Sequence, residues 1–353
     1  MNMEELRARI DQADERLLHA FEERMDIAAQ IAAYKQEKGL PALDSGRERA
    51  KLTSISAQAD ERSRPYVGAL YSLLFELSRT EQNKLLRPHC PLEEEILHAV
   101  DQTERLFPPS AAVACQGVEG AYSQLACEKV FKMPDILYFK SFDAVFAAID
   151  KGMCRYGVLP LENSTAGSVT KIYDLMMQYR FHIVRSVRLR VSHSLLARPG
   201  VNMKGVREIV SHPQAIGQCA GFLASLGDVK VTPAENTAAA AKMVAESGRS
   251  DIAVLASPQC AALYSLETLQ ENVQDSEGNY TRFICITKSL EIYPGSDRTS
   301  IMMVLPHKPG SLYKVLSRFY ALGKNGRAVG LWDHEGGEPR EQYRSICNVC
   351  AFW

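Results

Sequence analysis

Apolar residues recur at alternating spacings of three and four through Met3, Leu6, Ile10, Ala13, Leu17, Ala20, Ile27, Ile31 and Tyr34. That is the seam of one long amphipathic helix. It runs to about Lys38, where Gly39 and Pro41 stop it. Roughly 36 residues give a rod of about 54 Å, too long for the rest of one small domain to cover, so the seam is expected to pack on a second copy. Asp44 reads as the N-cap of a second helix, with Arg47 and Glu48 in its first turn. Pro65 opens a third, with Val67, Leu70, Leu74 and Leu77 on one face. Arg87 to Pro91 break the pattern, Leu92 to Leu106 form a short helical stretch, and Pro108-Pro109-Ser110 mark a boundary near 108. From Ala111 the period changes. Short apolar runs at Ala111–Cys115, Leu137–Phe139, Gly157–Leu161, Ile209–Val210, Val229–Val231, Ile252–Leu255 and Phe283–Ile286 read as strands, most with helical patterns between them, which is α/β. Thr299–Leu305 predicts one more strand and Leu312–Leu322 an amphipathic helix, ending at Gly323. Lys324 to Trp353 show little periodicity, and no structure is expected there. The boundaries are therefore 1–90, a linker over 91–110, 111–290, 298–323 and a tail over 324–353.

Composition narrows the picture without changing it. Of 353 residues, 46% are hydrophobic and 24% charged, ordinary values for a soluble multidomain chain. A net charge of -1 leaves no nucleic-acid footprint, so an anionic ligand must be held by local cations. The 9 cysteines are scattered and odd in number, which indicates reduced thiols. No apolar run is long enough for a membrane span, and the charged N-terminus is no signal peptide, so the expected location is cytoplasmic. Cys347 and Cys350 form a lone CxxC with no second ligand pair, so no metal site is expected. Gly117 to Ser123 follow a strand and precede a helix, but have neither the Gly-Lys-Ser/Thr of a phosphate loop nor GxGxxG spacing.

Arg24 sits on the otherwise apolar seam of the first helix, where an unpaired guanidinium would be costly. Lys35, eleven residues on, returns to within about 20° of it, whereas Arg7 is rotated by about 80–100° from both and faces elsewhere. Alone, Arg24 reads equally well as a device that fixes helix pairing. Ser78 and Gln82, four apart, point the same way on the third helix. Together, Arg7, Arg24, Lys35, Asp44, Arg47, Glu48, Ser78 and Gln82 resemble the active-site set of the all-helical chorismate mutases, over about residues 4 to 86. The resemblance implies three helices per chain in an intertwined dimer, each site borrowing an arginine, which fits the rotation of Arg7. It implies that Arg7, Arg24 and Arg47 hold the carboxylates of chorismate, that Lys35 and Gln82 face its ether oxygen, that Glu48 takes the ring hydroxyl, and that Asp44 and Ser78 support the site. A pericyclic rearrangement needs such a clamp and no covalent catalyst.

The remaining polar clusters lie beside predicted strands. Glu162-Asn163-Ser164-Thr165 end a buried strand just before a helix, where α/β sheets bind ligands and helix N–H groups receive anions. Asn163, Ser164 or Thr165 could equally be an N-cap there, Ser211 another, His212 a surface histidine and Thr281 a β-former. Jointly, Glu162-Asn163, Ser211-His212-Pro213-Gln214 with Gln218, and Thr281-Arg282-Phe283 resemble the prephenate dehydratases, from about Val113 to Lys288. The resemblance implies two lobes of the type II periplasmic-binding kind with a site in the cleft, and no metal or organic cofactor. It implies that Thr281 donates to the leaving hydroxyl, with Glu162 the nearest candidate to assist, that Asn163, Ser211 and Gln218 orient the substrate, and that Arg282 meets a carboxylate.

Thr299 to Gly323 resemble the start of an ACT domain, the βαββαβ phenylalanine-binding module, with Gly310-Ser311-Leu312 as its first ligand loop. The resemblance ends at Gly323; a frameshifted or truncated reading frame is one explanation, and the incomplete module argues against feedback by phenylalanine. The fold expected is thus multidomain: an all-α mutase, a two-lobed α/β dehydratase and a partial α+β ACT domain. The function expected is conversion of chorismate through prephenate to phenylpyruvate by a homodimer or larger homo-oligomer, with no nucleic-acid or membrane partner. Two alternatives stand beside it: a mutase whose dehydratase is impaired by the tail, and a two-lobed small-molecule sensor.

Overall fold

The computed structural model describes residues 2–86, 90–305, 310–321, 326–332 and 345–351, the last two stretches by backbone alone. The chain divides into two compact units, Met1–Glu94 and Glu95–Trp353.

The first unit is three helices, α1 (Met3–Lys38), α2 (Ser45–Gln58) and α3 (Arg64–Leu86). The first begins at a capping box: the Asn2 carboxamide oxygen accepts the Glu5 N–H at 2.8 Å, and the Glu5 carboxylate accepts the Asn2 N–H at 3.0 Å. It ends at Gly39, whose φ of 64° is left-handed, a conformation glycine adopts without Cβ strain. Asp44 caps α2 by accepting the Arg47 N–H at 2.9 Å, as its position predicts. α3 packs on the second half of α1 and runs in the same direction. The first half of α1 has no cover in a single chain: every residue from Asn2 to Ala20 is exposed, and Met3, Ile10 and Leu17 keep 64%, 61% and 60% of their surface.

The second unit opens with the end of α4 (Pro91–Gln102), which spans the division between units. Its first lobe holds β1 (Ser110–Gln116), α5 (Tyr122–Val130), β2 (Met133–Phe139), α6 (Phe142–Asp150), β3 (Tyr156–Asn163), β4 (Gly167–Ser168), α7 (Thr170–Tyr179) and β5 (His182–Arg190). The second lobe holds β6 (Ser194–Ala197), β7 (Glu208–Ser211), α8 (Pro213–Gln218), α9 (Ala220–Ser225), β8 (Lys230–Pro233), α10 (Thr237–Glu246), β9 (Ile252–Ala256), α11 (Gln259–Leu263) and β10 (Glu267–Gln270). The chain then returns to the first lobe as β11 (Tyr280–Thr287), which inserts between β3 and β5. The first sheet runs β2-β1-β3-β11-β5, with β11 antiparallel to both neighbours; the second runs β10-β6-β9-β7-β8. Alternation along β11 divides the core. Phe283 and Cys285 pack with Ala126, Cys127 and Val130 of α5, while Ile284 and Ile286 pack against α6 and α7.

The lobes are joined twice, by residues 191–193 going out and 271–279 coming back. The two crossings are bonded to each other, the Val191 N–H to the Asn279 carbonyl at 2.8 Å and the Val273 N–H to the His193 carbonyl at 2.9 Å.

Beyond the lobes, β12 (Ile301–Leu305), α12 (Ser311–Ala321), β13 (Gly326–Trp332) and β14 (Ser345–Ala351) form a further element with sheet order β12-β14-β13. The tail after Gly323, expected to be structureless, thus supplies two strands. Ala328-Val329-Gly330-Leu331-Trp332 and Ile346 to Ala351 are apolar enough to pair, although charged and glycine-rich residues separate them.

Candidate active sites

In the helical unit five of the eight expected residues come together. Arg24 donates from Nη1 to the Leu74 carbonyl at 2.9 Å and to Ser78 Oγ, and its guanidinium lies 5.8 Å from the centre of the Phe75 ring. Burial draws its pKa down, Tyr71 and Glu48 oppose that, and an arginine stays charged throughout. Lys35 donates to the Ala42 carbonyl at 2.6 Å and to Gln82 Oε1 at 3.2 Å. Ser78 and Gln82 are the buried residues of α3, an inversion of the usual order in which polar side chains stay outside. Ser78 is satisfied on both sides, its hydroxyl donating to the Leu74 carbonyl at 2.8 Å and accepting from Arg24, whereas Lys35 and Gln82 are not. Lys35 keeps a third N–H and Gln82 its amide NH₂, both without a partner among the described residues. Lys35 also lines a cavity of about 510 Å³ with Ala42, Arg79 and Asn83.

Glu48 is half-buried and paired with Arg79, a residue the sequence reading did not pick out. Its signal was available: Arg79 adjoins Ser78 and lies three residues before Gln82. Asp44 and Arg47 are exposed at the start of α2, with Asp44 committed to its cap. Arg7 is exposed on α1, about 25 Å along the helix from Arg24, and is not brought to the cluster within one chain.

In the α/β unit the decisive arrangement is Asn163 between β3 and β11. Its Oδ1 accepts two backbone N–H groups, from Thr165 at 3.0 Å and Ala166 at 2.8 Å, so the turn after β3 is built on it. That fixes the carboxamide the other way round on its nitrogen. Nδ2 donates to Thr281 Oγ1 at 2.9 Å and to Asn279 Oδ1 at 2.7 Å. Thr281 therefore accepts from Asn163 and keeps its own O–H to donate. The N-cap reading of Asn163, Ser164 and Thr165 fails: α7 starts at Thr170, is preceded by Val169 and has no side-chain cap. Ser164 instead binds across to the returning strand, to the Gly278 carbonyl at 2.9 Å.

Glu162 and Arg282 are a different pair. They face each other across β3 and β11 at 3.4 Å, one register position from Asn163 and Thr281. Successive strand residues point to opposite faces, so Glu162 is not brought to the Thr281 hydroxyl and Arg282 lies on the far side from it. The two line a cavity of about 160 Å³ with Asn163, Ser164, Arg188 and Tyr280. Ser211, fully buried at the end of β7, donates to the Leu255 carbonyl at 2.6 Å. The cap of α8 is His212, not Ser211, with Nδ1 accepting the Gln214 N–H at 3.2 Å. Gln218 meets His193, whose Nε2 lies 2.9 Å from Gln218 Oε1. Among the described residues no hydrogen bond joins Ser211 or Gln218 to Thr281. His193 escaped the sequence reading, and Asn279, which opens the segment 279–283, had no role assigned in it. Asn279 had a signal, lying two residues before Thr281 and so on its face of the strand; a lone histidine between two strands had none.

Seven cysteines are described, all free, and the described residues include no cluster of side chains able to hold a metal ion. The side chains of Cys347 and Cys350 lie outside the described residues. Gly310 has a φ of 82° and is exposed ahead of α12, with Ser311 and Leu312 half-buried in its first turn. No described helix is long and apolar enough to cross a membrane.

Two family models match, prephenate dehydratase over residues 113–290 and chorismate mutase type II over residues 6–83. The chain belongs to the prephenate dehydratase family. It carries a chorismate mutase domain ahead of the dehydratase domain, is an enzyme, and takes part in phenylalanine biosynthesis. Arogenate dehydratase/prephenate dehydratase 1, chloroplastic, of Arabidopsis thaliana is 35% identical over 299 residues, 80% of this chain and 75% of that protein. Further plant arogenate dehydratases match over 49% to 64% of their own length. Among solved structures, GqqA, described as a novel type of quorum quenching acylase, matches with a TM-score of 0.60 and 32% identity, over 68% of this chain and 87% of that one. The prephenate dehydratase of Arthrobacter aurescens, in complex with L-Phe, matches with a TM-score of 0.59 and 24% identity, over 67% and 80%. This second likeness shows the two-lobed fold.

Proposed function

We propose that the helical unit rearranges chorismate to prephenate and that the two lobes convert prephenate to phenylpyruvate, with the residues assigned as follows. Chorismate is a dianion, and its rearrangement builds negative charge on the ether oxygen. Arg24 has N–H groups beyond the two bonds that Nη1 makes, and these suit a carboxylate. The unengaged N–H of Lys35 and the NH₂ of Gln82 suit the ether oxygen. Glu48, kept in place by Arg79, takes the ring hydroxyl; Ser78 fixes Arg24; Arg47 holds a carboxylate and Asp44 supports the turn beside it. Arg7 serves the site of a second chain. The uncovered half of α1 supports that dimer, since a free-standing helix of about 19 residues with an exposed apolar seam is marginal in water.

Prephenate loses its ring hydroxyl as water and its ring carboxylate as carbon dioxide. The electron pair released by decarboxylation fills the ring as the carbon–oxygen bond breaks, so the hydroxyl must leave with a proton. The observation that carries this reading is the direction of the hydrogen bond at Thr281: its oxygen is already occupied by Asn163, so its O–H is the available donor to the leaving group. Asn163 and Asn279 hold it there and Gln218 orients the substrate from the second lobe; Ser211, buried with its hydroxyl given to the Leu255 carbonyl, and Arg282, paired with Glu162 on the other face of the strand, support the site from behind. Prephenate is preferred to arogenate because the same chain makes prephenate, although relatives are named for both. The residues described require no metal or organic cofactor for these steps. The β12–α12–β13–β14 order repeats the first four elements of a βαββαβ module, which supports an ACT-like regulatory end with Gly310, Ser311 and Leu312 at its ligand loop; phenylalanine binding is a separate matter for titration. Free thiols fit a cytoplasmic setting.

The test is to offer prephenate and arogenate separately to the purified protein and to its Thr281→Val variant. The wild type should release phenylpyruvate from prephenate, and the variant should lose roughly 10²–10⁴ in rate while its mutase rate stays unchanged. A variant as fast as wild type would remove Thr281 from the mechanism.

A further inference from the structure

His193 is 3% exposed, on the outgoing crossing between the lobes, and is held through both its backbone and its ring. Its backbone N–H donates to Gln274 Oε1 at 2.9 Å and its carbonyl accepts the Val273 N–H at 2.9 Å, both from the returning crossing. The Tyr122 ring meets it edge-on with centroids 6.4 Å apart, and Tyr122 is itself fixed through its hydroxyl to the Ser192 carbonyl. Of its two ring nitrogens, Nε2 faces Gln218 Oε1 at 2.9 Å and Nδ1 is buried without a partner among the described residues. A neutral imidazole has one N–H and one lone pair. Only Nε2 has an acceptor in reach, so the proton belongs there, and burial, by lowering the imidazole's affinity for a second proton, keeps the ring neutral.

That tautomer dictates what Gln218 can do. Its carboxamide oxygen is taken up by His193, which leaves the NH₂ group, a donor only, for the half-buried side of the residue. Gln218 is also gripped through its backbone, since its carbonyl accepts the Asp275 N–H at 2.8 Å and Asp275 in turn accepts the Gly221 N–H at 3.1 and 3.2 Å. Side chain and main chain of one glutamine are thus tied to the two different crossings. We propose that His193 is a positioning residue for the dehydration step: it holds the Gln218 carboxamide with its NH₂ toward the cleft, as a donor to the anionic substrate. This rests on the dehydratase reading of the cleft and adds to it a residue that touches no substrate. It repeats at Gln218 the device found at Asn163, where an occupied carbonyl oxygen fixes the direction in which the amide nitrogen donates.

The experiment uses the full chain and steady-state kinetics on prephenate for wild type, His193→Gln, His193→Leu, Gln218→Leu and the double variant His193→Leu/Gln218→Leu. Loss of one such bond is expected to lower kcat/KM by roughly tenfold in His193→Leu. His193→Gln, which restores an N–H donor, should recover most of that loss. The double variant should be no slower than Gln218→Leu alone, because the histidine acts only through the glutamine. Mutase activity should be unchanged in all of them, and the thermal melt of each variant reports whether the lobes are folded. Independent losses that multiply in the double variant, or a His193→Gln variant as slow as His193→Leu, would overturn the proposal. Should His193→Leu fail to fold, the ¹⁵N shifts of the His193 ring in the labelled wild type decide: a protonated Nε2 beside an unprotonated Nδ1 is expected, and the reverse overturns it. A wild type that forms no phenylpyruvate would count against the dehydratase reading instead, while the ring shifts would still report on the clamp.

Discussion

Asn163 shows how one amide can set the chemistry of its neighbour. Two backbone N–H groups claim its oxygen, so its nitrogen must donate, and Thr281 must accept. Replacing Asn163 with Ala should therefore damage two things at once, the turn after β3 and the direction of the Thr281 hydroxyl. The expected result is a drop in dehydratase kcat of at least tenfold, larger than the stability change alone would give; kcat close to wild type would show that Thr281 orients itself. In the helical unit the same reasoning applies to Lys35, which holds the Ala42 carbonyl and Gln82 and keeps one N–H in reserve. Lys35→Ala should cost the mutase roughly 10²–10³ in kcat and leave phenylpyruvate formation from supplied prephenate intact. A third residue, Glu208 at the start of β7, is structural. It accepts from Thr232, Arg249 and Lys230 at 2.6, 2.7 and 3.0 Å, and these bonds hold its carboxyl down at about 2 against an ordinary 4.5. A depressed pKa gives stability that is present above the ordinary value and lost as pH falls through the folded one. Acid should thus loosen the second lobe between about pH 5 and 2, and Glu208→Gln should flatten that part of the curve in a thermal-melt series; an unaltered curve would mean that Glu208 does not set the acid response.

At the scale of elements, legibility followed the length of the pattern. α1, with its nine apolar seam positions and its Gly39 stop, was readable nearly to the residue, and α2 and α3 were readable from Asp44 and Pro65. Strands buried on both faces, such as β1, β3 and β9, were readable as apolar runs. β5 was not found, because His182–Arg190, at the edge of its sheet, has no continuous apolar run like those by which the buried strands were read; its alternation over 187–190 was the available signal. β6 and β10 are four residues each, too short for a period to emerge. The site was legible in its residue types and less so in its directions. Asn163 and Thr281 meet across β3 and β11, but Glu162 and Arg282 sit one step along the same strands and so on the other face, a distinction that depends on register and not on spacing along the chain. Single-chain contacts also leave the first half of α1 uncovered. For the dimer proposed above, Ile10→Glu with Leu17→Glu on that half should shift the protein toward monomer in sedimentation velocity and abolish mutase turnover, because the proposed entry of Arg7 into a second site would be lost. A double variant that stays dimeric would show that another surface holds the copies together.

The whole molecule places two consecutive reactions on one chain, each in its own compact unit, with the product of the first as the substrate of the second. In the assignment proposed above each unit uses only its own residues, so the two activities should be separable by mutation and additive in sequence. Chorismate supplied to the purified full-length protein, with chorismate loss and phenylpyruvate gain followed together, tests this in one reaction. The expected course is loss of chorismate, a transient rise of prephenate, and phenylpyruvate formed in equal amount to the chorismate consumed, with Thr281→Val stopping the sequence at prephenate. Chorismate that persists, or prephenate that accumulates to completion in the wild type, would contradict it.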